Sequence, residues 1–135
     1  MRIIVCLDER NGMLFNKRRQ SSDVTVCRQI LEQAAGAGLQ MNPYSAKLFS
    51  DLDPQIAGSD DFLEKAEDAW CFVENADITP YISQITAITI YRWNRRYPSD
   101  VKFPIHLFAD RWKLTGSRDF PGNSHETITR EDYVL

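Results

Sequence analysis

The spacing of apolar positions changes along the chain, and each change marks a different element. Residues 2–7, Arg-Ile-Ile-Val-Cys-Leu, form a short run rich in β-branched side chains, the pattern of a strand buried on both faces. Asn11-Gly12 ends it with a turn. From Asp23 the period becomes helical: Val26, Cys27, Ile30, Leu31 and Ala34 fall on one face, and Gly36 or Gly38 can stop the helix. Asp23 stands where an N-cap carboxylate accepts free backbone N–H groups. The intervening residues 11–23, NGMLFNKRRQSSD, read as a mobile loop beside a cleft.

Leu39-Gln40-Met41 is a short apolar piece that leads through Asn42-Pro43 into a helix over 44–49. Helix breakers concentrate in 50–61, which predicts a loop, and the Asp61 to Glu64 spacing then predicts a short helix over 61–66. Residues 70–73 and 87–93 are strand runs, with a helix start at Thr79-Pro80 between them. Residues 112–120 and 125–133 flank Pro121-Gly122-Asn123 as the arms of a hairpin would. Strands alternating with helices, then an antiparallel pair, predict one α/β domain over 1–135. Its central sheet is mostly parallel, flanked by helices, with a C-terminal antiparallel hairpin.

At 135 residues, with 43% hydrophobic and 26% charged, the chain is long and apolar enough to bury a core. A net charge of −3 argues against a general nucleic-acid binder but leaves room for a local basic patch. Cys6, Cys27 and Cys71 lie far apart without CxxC spacing, which argues against a metal site and, with no leader visible, fits a reducing cytoplasm. No apolar run approaches the roughly 20 residues of a membrane span. The expected partner is therefore a small molecule, with a protein partner as the alternative.

Two cationic stretches carry candidate binding chemistry. Lys17, Arg18 and Arg19 can hold a phosphate or carboxylate, or simply form a solvated loop. In 91–98, YRWNRRYP, Tyr91 and Trp93 can stack a flat ring while Arg92 or Arg95 takes its acidic substituent; the same aromatics can equally be core. Glu74 and Asn75 close a predicted parallel strand, the edge where open α/β sheets bind ligands. His125-Glu126 is a weaker proton-transfer pair, because neighbours in a strand face opposite ways. The expected binding set is Phe15, Asn16, Arg18, Arg19, Asn42, Tyr44, Lys47, Asn75, Tyr91, Arg92, Trp93 and Arg95, with Asp23 and Glu74 as candidate acid–base groups.

The order of these elements resembles the dihydrofolate reductase family. There, a loop after the first strand leads to a helix that begins near an acid, as NGMLFN leads to Asp23. A Met-ended strand then precedes a helix, as in LQMNPYSAKLF; a later strand ends at a helix start, as in CFVENADITPYISQI; AITIYRW and a closing hairpin with NSHETI follow. The resemblance implies that Asp23 matches the acid that protonates the substrate ring. It also implies that NADPH phosphates would lie at Asn42-Pro43, in place of Gly-Arg, and at Glu74-Asn75, in place of Gly-Gly. Those replacements remove a cation, add an anion and add side chains where backbone should approach a pyrophosphate. The segment from Phe49 to Trp70 is also about twenty residues short for an ordinary domain of this kind. NADPH is thus possible from the fold but its binding elements are missing.

NGMLFN.RRQS.D, MN.YSAK.F, CFVEN and YRWNR.YP also resemble a group of small bacterial proteins to which the name ribonuclease Z is sometimes attached. That name implies an HxHxDH metal site, and His106 and His125 are the only histidines, so the chemistry excludes it. The sequence-level expectation is a ligand-binding protein on a reductase-like scaffold, for a small planar anion of nucleotide or pterin type. An enzyme with altered chemistry, an atypical NADPH reductase and an interaction subunit are the alternatives.

Overall fold

The computed structural model describes residues 1–109 and 111–135. In chain order its elements are β1 (Arg2–Leu7), β2 (Gly12–Phe15), β3 (Arg18–Arg19), α1 (Val24–Ala34), β4 (Leu39–Gln40) and α2 (Pro43–Phe49). Then come β5 (Trp70–Phe72), a 3-10 helix (Thr79–Gln84), β6 (Ala87–Arg92), β7 (Val101–Lys102), β8 (Lys113–Phe120) and β9 (Ile128–Val134). One sheet has the order β4-β5-β1-β6-β9-β8, and β3-β2-β7 form a second, smaller one. β4, β5, β1 and β6 run parallel, whereas β9 is antiparallel to both β6 and β8. The expected α/β architecture, mostly parallel with a closing hairpin, is the one observed.

β1 lies at the centre because both its faces are apolar. Ile3, Val5 and Leu7 meet Ile88, Ile90 and Tyr133 on one face, under Phe62, Ile78, Ile85, Phe103 and Ile105. Ile4 points the other way, among Phe72, Tyr91, Trp93 and the α1–α2 layer of Val26, Ile30, Ala46 and Phe49. Alternation along a doubly covered strand requires apolar groups at every position, which is why the run at 2–7 reads as it does. No helix among the described residues is long and apolar enough to cross a membrane.

Several local expectations need correction. Residues 61–66 make no helix: one isolated turn forms, in which the Asp61 carbonyl takes the N–H groups of both Glu64 and Lys65, and Glu67 follows with φ of 47°. The Asp61 carboxylate is engaged by Ser59 and Lys65 rather than in a capping box. Its apolar content is still used, since Phe62, Leu63 and Ala66 join the core. The helix after Thr79-Pro80 is 3-10 rather than α, with Asp77 accepting from the Thr79 amide at 2.9 Å.

The segment NGMLFN is a strand and turn, not a loop. Asn16 and Lys17 have φ of 52° and 63°, the paired left-handed conformation of a tight two-residue hairpin, and this turns β2 back into β3. Asp8, fully buried, fastens the base: its carboxylate accepts from the amides of Arg10 and Gly12, both at 2.8 Å, and from Gln20 Nε2 at 3.0 Å. Burial opposes ionisation of Asp8, but these bonds outweigh it and hold the carboxyl below its ordinary range.

Gly58 presses the loop 50–61 onto the start of α2. A Cβ there would lie 2.4 Å from the Pro43 nitrogen and Cα, so the backbones touch. Gly58→Ala is therefore expected to lower stability by about 1–3 kcal/mol through overpacking against main chain. Urea denaturation midpoints measure it, and an unchanged midpoint would show that the loop moves freely off α2.

Candidate functional site

The hairpin β2–β3 lies across the carboxyl ends of β1 and β5, and one side chain locks it there. Arg19 donates from Nε to Glu74 Oε2 at 2.7 Å and from Nη2 to Oε1 at 3.0 Å, a two-pronged pair in a nearly buried setting. Ser45 Oγ on α2 adds a third bond to Glu74 Oε1 at 2.7 Å. The Arg19 guanidinium also stacks over the Tyr44 ring at 4.4 Å, and the Arg19 amide donates to Tyr44 Oη at 3.0 Å. Burial works against the Arg19 charge, but Glu74 outweighs it and raises the guanidinium above its ordinary value. Asn42 caps α2 by accepting from the Ser45 amide, and its Nδ2 donates to Asn75 Oδ1 at 2.6 Å. Arg19, Asn42, Tyr44, Glu74 and Asn75 are thus brought together, as a clamp between elements.

Outside this clamp opens a cleft of about 460 Å³ lined by Phe15, Asn16, Arg18, Arg19, Gln20, Tyr97 and Pro98. Phe15 and Arg18 are exposed, and Arg18 has no ion-pair partner among the described residues. Beyond Tyr97-Pro98 a second depression of about 430 Å³ is lined by Arg10, Arg96, Ser99 and Lys102. On the other side of the hairpin, Glu74 and Asn75 border a smaller hollow of about 290 Å³ with Met13, Ile78 and Val101.

The remaining expected residues lie elsewhere. Tyr91 is fully buried, its hydroxyl donating to Gln33 Oε1 at 3.1 Å, and burial pushes that hydroxyl far above its ordinary range. Trp93 is 3% exposed. Neither ring is presented to the cleft, because both are buried in the core with Val26, Ile30 and Phe49. Arg92 pairs with Glu131 at 2.6 Å and reaches Asn11 Oδ1 at 2.8 Å. Lys47 and Arg95 are exposed and outside the cleft lining.

Asp23 caps α1, accepting from the Thr25 amide at 2.9 Å, and does much more. It also takes the amides of Asn123 at 3.0 Å and Ser124 at 2.8 Å, Ser124 Oγ at 3.1 Å, and His125 Nδ1 at 3.1 Å. Burial penalises its charge, yet these donors win and hold the carboxyl well below the usual carboxylate range. These donors favour the ionised form, which weighs against the expected role of Asp23 as a general acid near neutral pH. His125 and Glu126 do not pair as a unit: both precede β9, the histidine buried and the glutamate exposed.

The three thiols are held in their neutral form. Burial pushes Cys27 and Cys71 up to about 11, and burial together with the Glu74 charge raises Cys6 well above its ordinary value. Among the described residues no group of three or more His, Cys, Asp or Glu side chains is placed to hold a metal ion. Gln20, Ser21 and Tyr97 were absent from the expected set. Tyr97 carried a signal, standing in the same aromatic–arginine stretch as Trp93, whereas Gln20 and Ser21 were unmarked polar residues.

No protein-family model and no curated protein matches the chain. Among solved structures, dihydrofolate reductase from Enterococcus faecalis complexed with NADP(H) and RAB-propyl matches 98% of this chain and 94% of its own. The TM-score is 0.66 and the sequence identity 9%. Matching elements over nearly the whole of both chains at so low an identity establish the architecture alone: this chain has the dihydrofolate reductase-like fold.

Proposed function

We propose that the protein binds a small planar anion of nucleotide or pterin type in the cleft between Phe15 and Tyr97, without ordinary NADPH-dependent hydride transfer. One observation carries the first half: two aromatic side chains and Arg18, without an ion-pair partner among the described residues, line the same cleft, at the hairpin that crosses the strand ends. Aromatic walls favour a flat ring, and a free guanidinium matches a carboxylate or phosphate in two-pronged geometry. Arg10, Arg96 and Lys102 in the adjoining depression add positive potential to a chain whose net charge is −3. Phe15 and Tyr97 take the ring-stacking part first assigned to Tyr91 and Trp93.

The second half is supported by the two junctions where the fold would hold NADPH phosphates. Pro43, at the first position of α2, has no N–H to offer, the Asn42 side chain occupies the Ser45 amide, and Gly58 packs on their backbone. At the other junction lies the Glu74 carboxylate, with its cation already engaged. A dinucleotide phosphate does not fit these residues.

Nucleoside monophosphates and pterins, screened by thermal shift and confirmed by calorimetry, test the binding half. A ligand present at a hundred times its Kd is expected to stabilise the fold by about 2.7 kcal/mol. Arg18→Ala is expected to weaken it by about 10- to 100-fold, the loss of charged hydrogen bonds. No shift with any of these compounds overturns the binding reading. Micromolar binding of NADPH, followed by tryptophan fluorescence, overturns the cofactor reading.

A further inference from the structure

Behind the Tyr97 wall of the cleft, Asp23 and His125 continue into two hydroxyl groups. His125 Nδ1 faces the Asp23 carboxylate at 3.1 Å, and on the far side of the ring Nε2 lies 3.0 Å from Ser21 Oγ and 3.1 Å from Tyr97 Oη. Tyr97 Oη is 3.5 Å from Ser21 Oγ. Trp93 stacks on the imidazole with centroids 4.6 Å apart and planes inclined by 22°, which fixes the ring's orientation. Gly122 lets the loop carrying His125 approach, since a Cβ there would stand 2.6 Å from Asp23 Oδ2. We propose that Ser21, His125 and Asp23 form a nucleophile–base–orienter relay, with Tyr97 as the hydroxyl that meets developing charge, and that the site transfers an acyl group from a small ester to water.

The order of roles follows from the bonds. An ionised carboxylate only accepts, so Asp23 holds the His125 proton on Nδ1, which Ser124 Oγ also approaches at 3.0 Å, and leaves the Nε2 lone pair toward Ser21 and Tyr97. Ser21 Oγ attacks the ester carbonyl while Nε2 takes its proton. The tetrahedral intermediate collapses, and the C–O bond to the alcohol breaks as Nε2 protonates the departing oxygen. Water then attacks the acyl-Ser21, its proton passing to Nε2. Collapse of the second intermediate returns a proton to Ser21 and releases the carboxylic acid. One ester and one water give one acid and one alcohol, with no other reactant. Asp23 is a positioning residue here, since of the groups in the relay it touches only His125.

Access runs through Gln20. Its side chain lines the large cleft and also a small internal cavity of about 10 Å³, which Ser21 borders together with Cys6, Met13 and Trp93. Gln20 Nε2 is held by Asp8 and the Pro98 carbonyl, but its buried Oε1 has no partner among the described residues. An unpaired buried acceptor weakens its own setting, so this side chain is the part of the wall that a substrate donor or water can draw aside. For its substrate, an ester bearing an anionic group near Arg18, the inference rests on the binding reading above; the relay itself does not.

The test is covalent. Wild-type protein is incubated with a fluorophosphonate probe and the adduct mapped by mass spectrometry, while p-nitrophenyl acetate hydrolysis is followed in wild type, Ser21→Ala and His125→Gln. The expected result is a single adduct on Ser21, its formation slowed on the order of 100-fold or more in His125→Gln, and ester turnover lost in Ser21→Ala. An adduct elsewhere, none at all, or unchanged turnover in Ser21→Ala overturns the relay. Mapping on the wild type needs no variant to fold. Labelling without nucleotide or pterin binding would reject only the ligand reading, and binding without labelling would reject only the relay.

Discussion

Replacing Asp23 by alanine is expected to destabilise the protein by about 3–5 kcal/mol, because several buried donors lose their acceptor at roughly 1–3 kcal/mol each. The carboxylate joins two separate pieces of chain: the first turn of α1 through Thr25, and the loop before β9 through the amides of Asn123 and Ser124 and the His125 ring. Alanine leaves those donors without an acceptor and severs the tie between α1 and that loop. The effect carries a pH signature. Asp23 has a folded value below its unfolded one, about 3.9 for an ordinary Asp. Its contribution is therefore complete above about pH 5 and is lost as pH falls through the acid range toward the folded value. Urea denaturation of wild type and Asp23→Ala at pH 7 and pH 3 should show the gap between them narrowing in acid. A gap that widens at pH 3 would refute this account of the carboxylate.

Glu74→Ala is the second large effect, expected at about 2–3 kcal/mol. This is below the full penalty of roughly 3–5 kcal/mol for a completely buried pair, because a quarter of the Arg19 side chain reaches water. The loss falls on one place: without Glu74, the bonds holding β3 across the end of β5 reduce to the Tyr44 contacts. A double-mutant cycle with Arg19→Ala should return a coupling of about 1–3 kcal/mol. Amide hydrogen exchange should accelerate across residues 12–19 in either single variant. Additive losses, with exchange unchanged, would mean that the hairpin is held by β7 and Asp8 instead.

Much of the sheet was legible because its signals are local. The β-branched run of β1, the period of α1 with Asp23 at its head, and the Pro-Gly break between β8 and β9 each fit within a dozen residues. The β2–β3 hairpin was hidden because its turn is Asn16-Lys17 rather than a glycine pair, and because Arg18 and Arg19 disguise a strand as a charge run. The arginines around Tyr91 and Trp93 suggested an exposed aromatic surface, yet the alternation of β6, carried one residue past its end, sends those two rings into the α1–α2 layer and leaves Arg92 to pair with Glu131. Asp23 and His125 are separated by 102 positions, and Arg19 and Glu74 by 55. No spacing rule reaches that far. Such pairs become visible only when the sheet has brought its strand ends together.

The place of β1 has a consequence for the order of events in folding. Its neighbours are drawn from residues 70–72 and 87–92, and the strand that completes β6 ends at Val134. The first strand therefore finds no sheet partner among the next sixty or so residues, and a polypeptide released only as far as β5 would hold half of each apolar layer facing water. Loops of this length close at an entropic cost before any contact rewards them, which places such a topology among the slower single domains, on the order of milliseconds to seconds. The helices have local means to form early, but the sheet they cover assembles late and nearly at once. A partly made chain of this design carries its exposed apolar strands as an aggregation risk until the closing hairpin arrives.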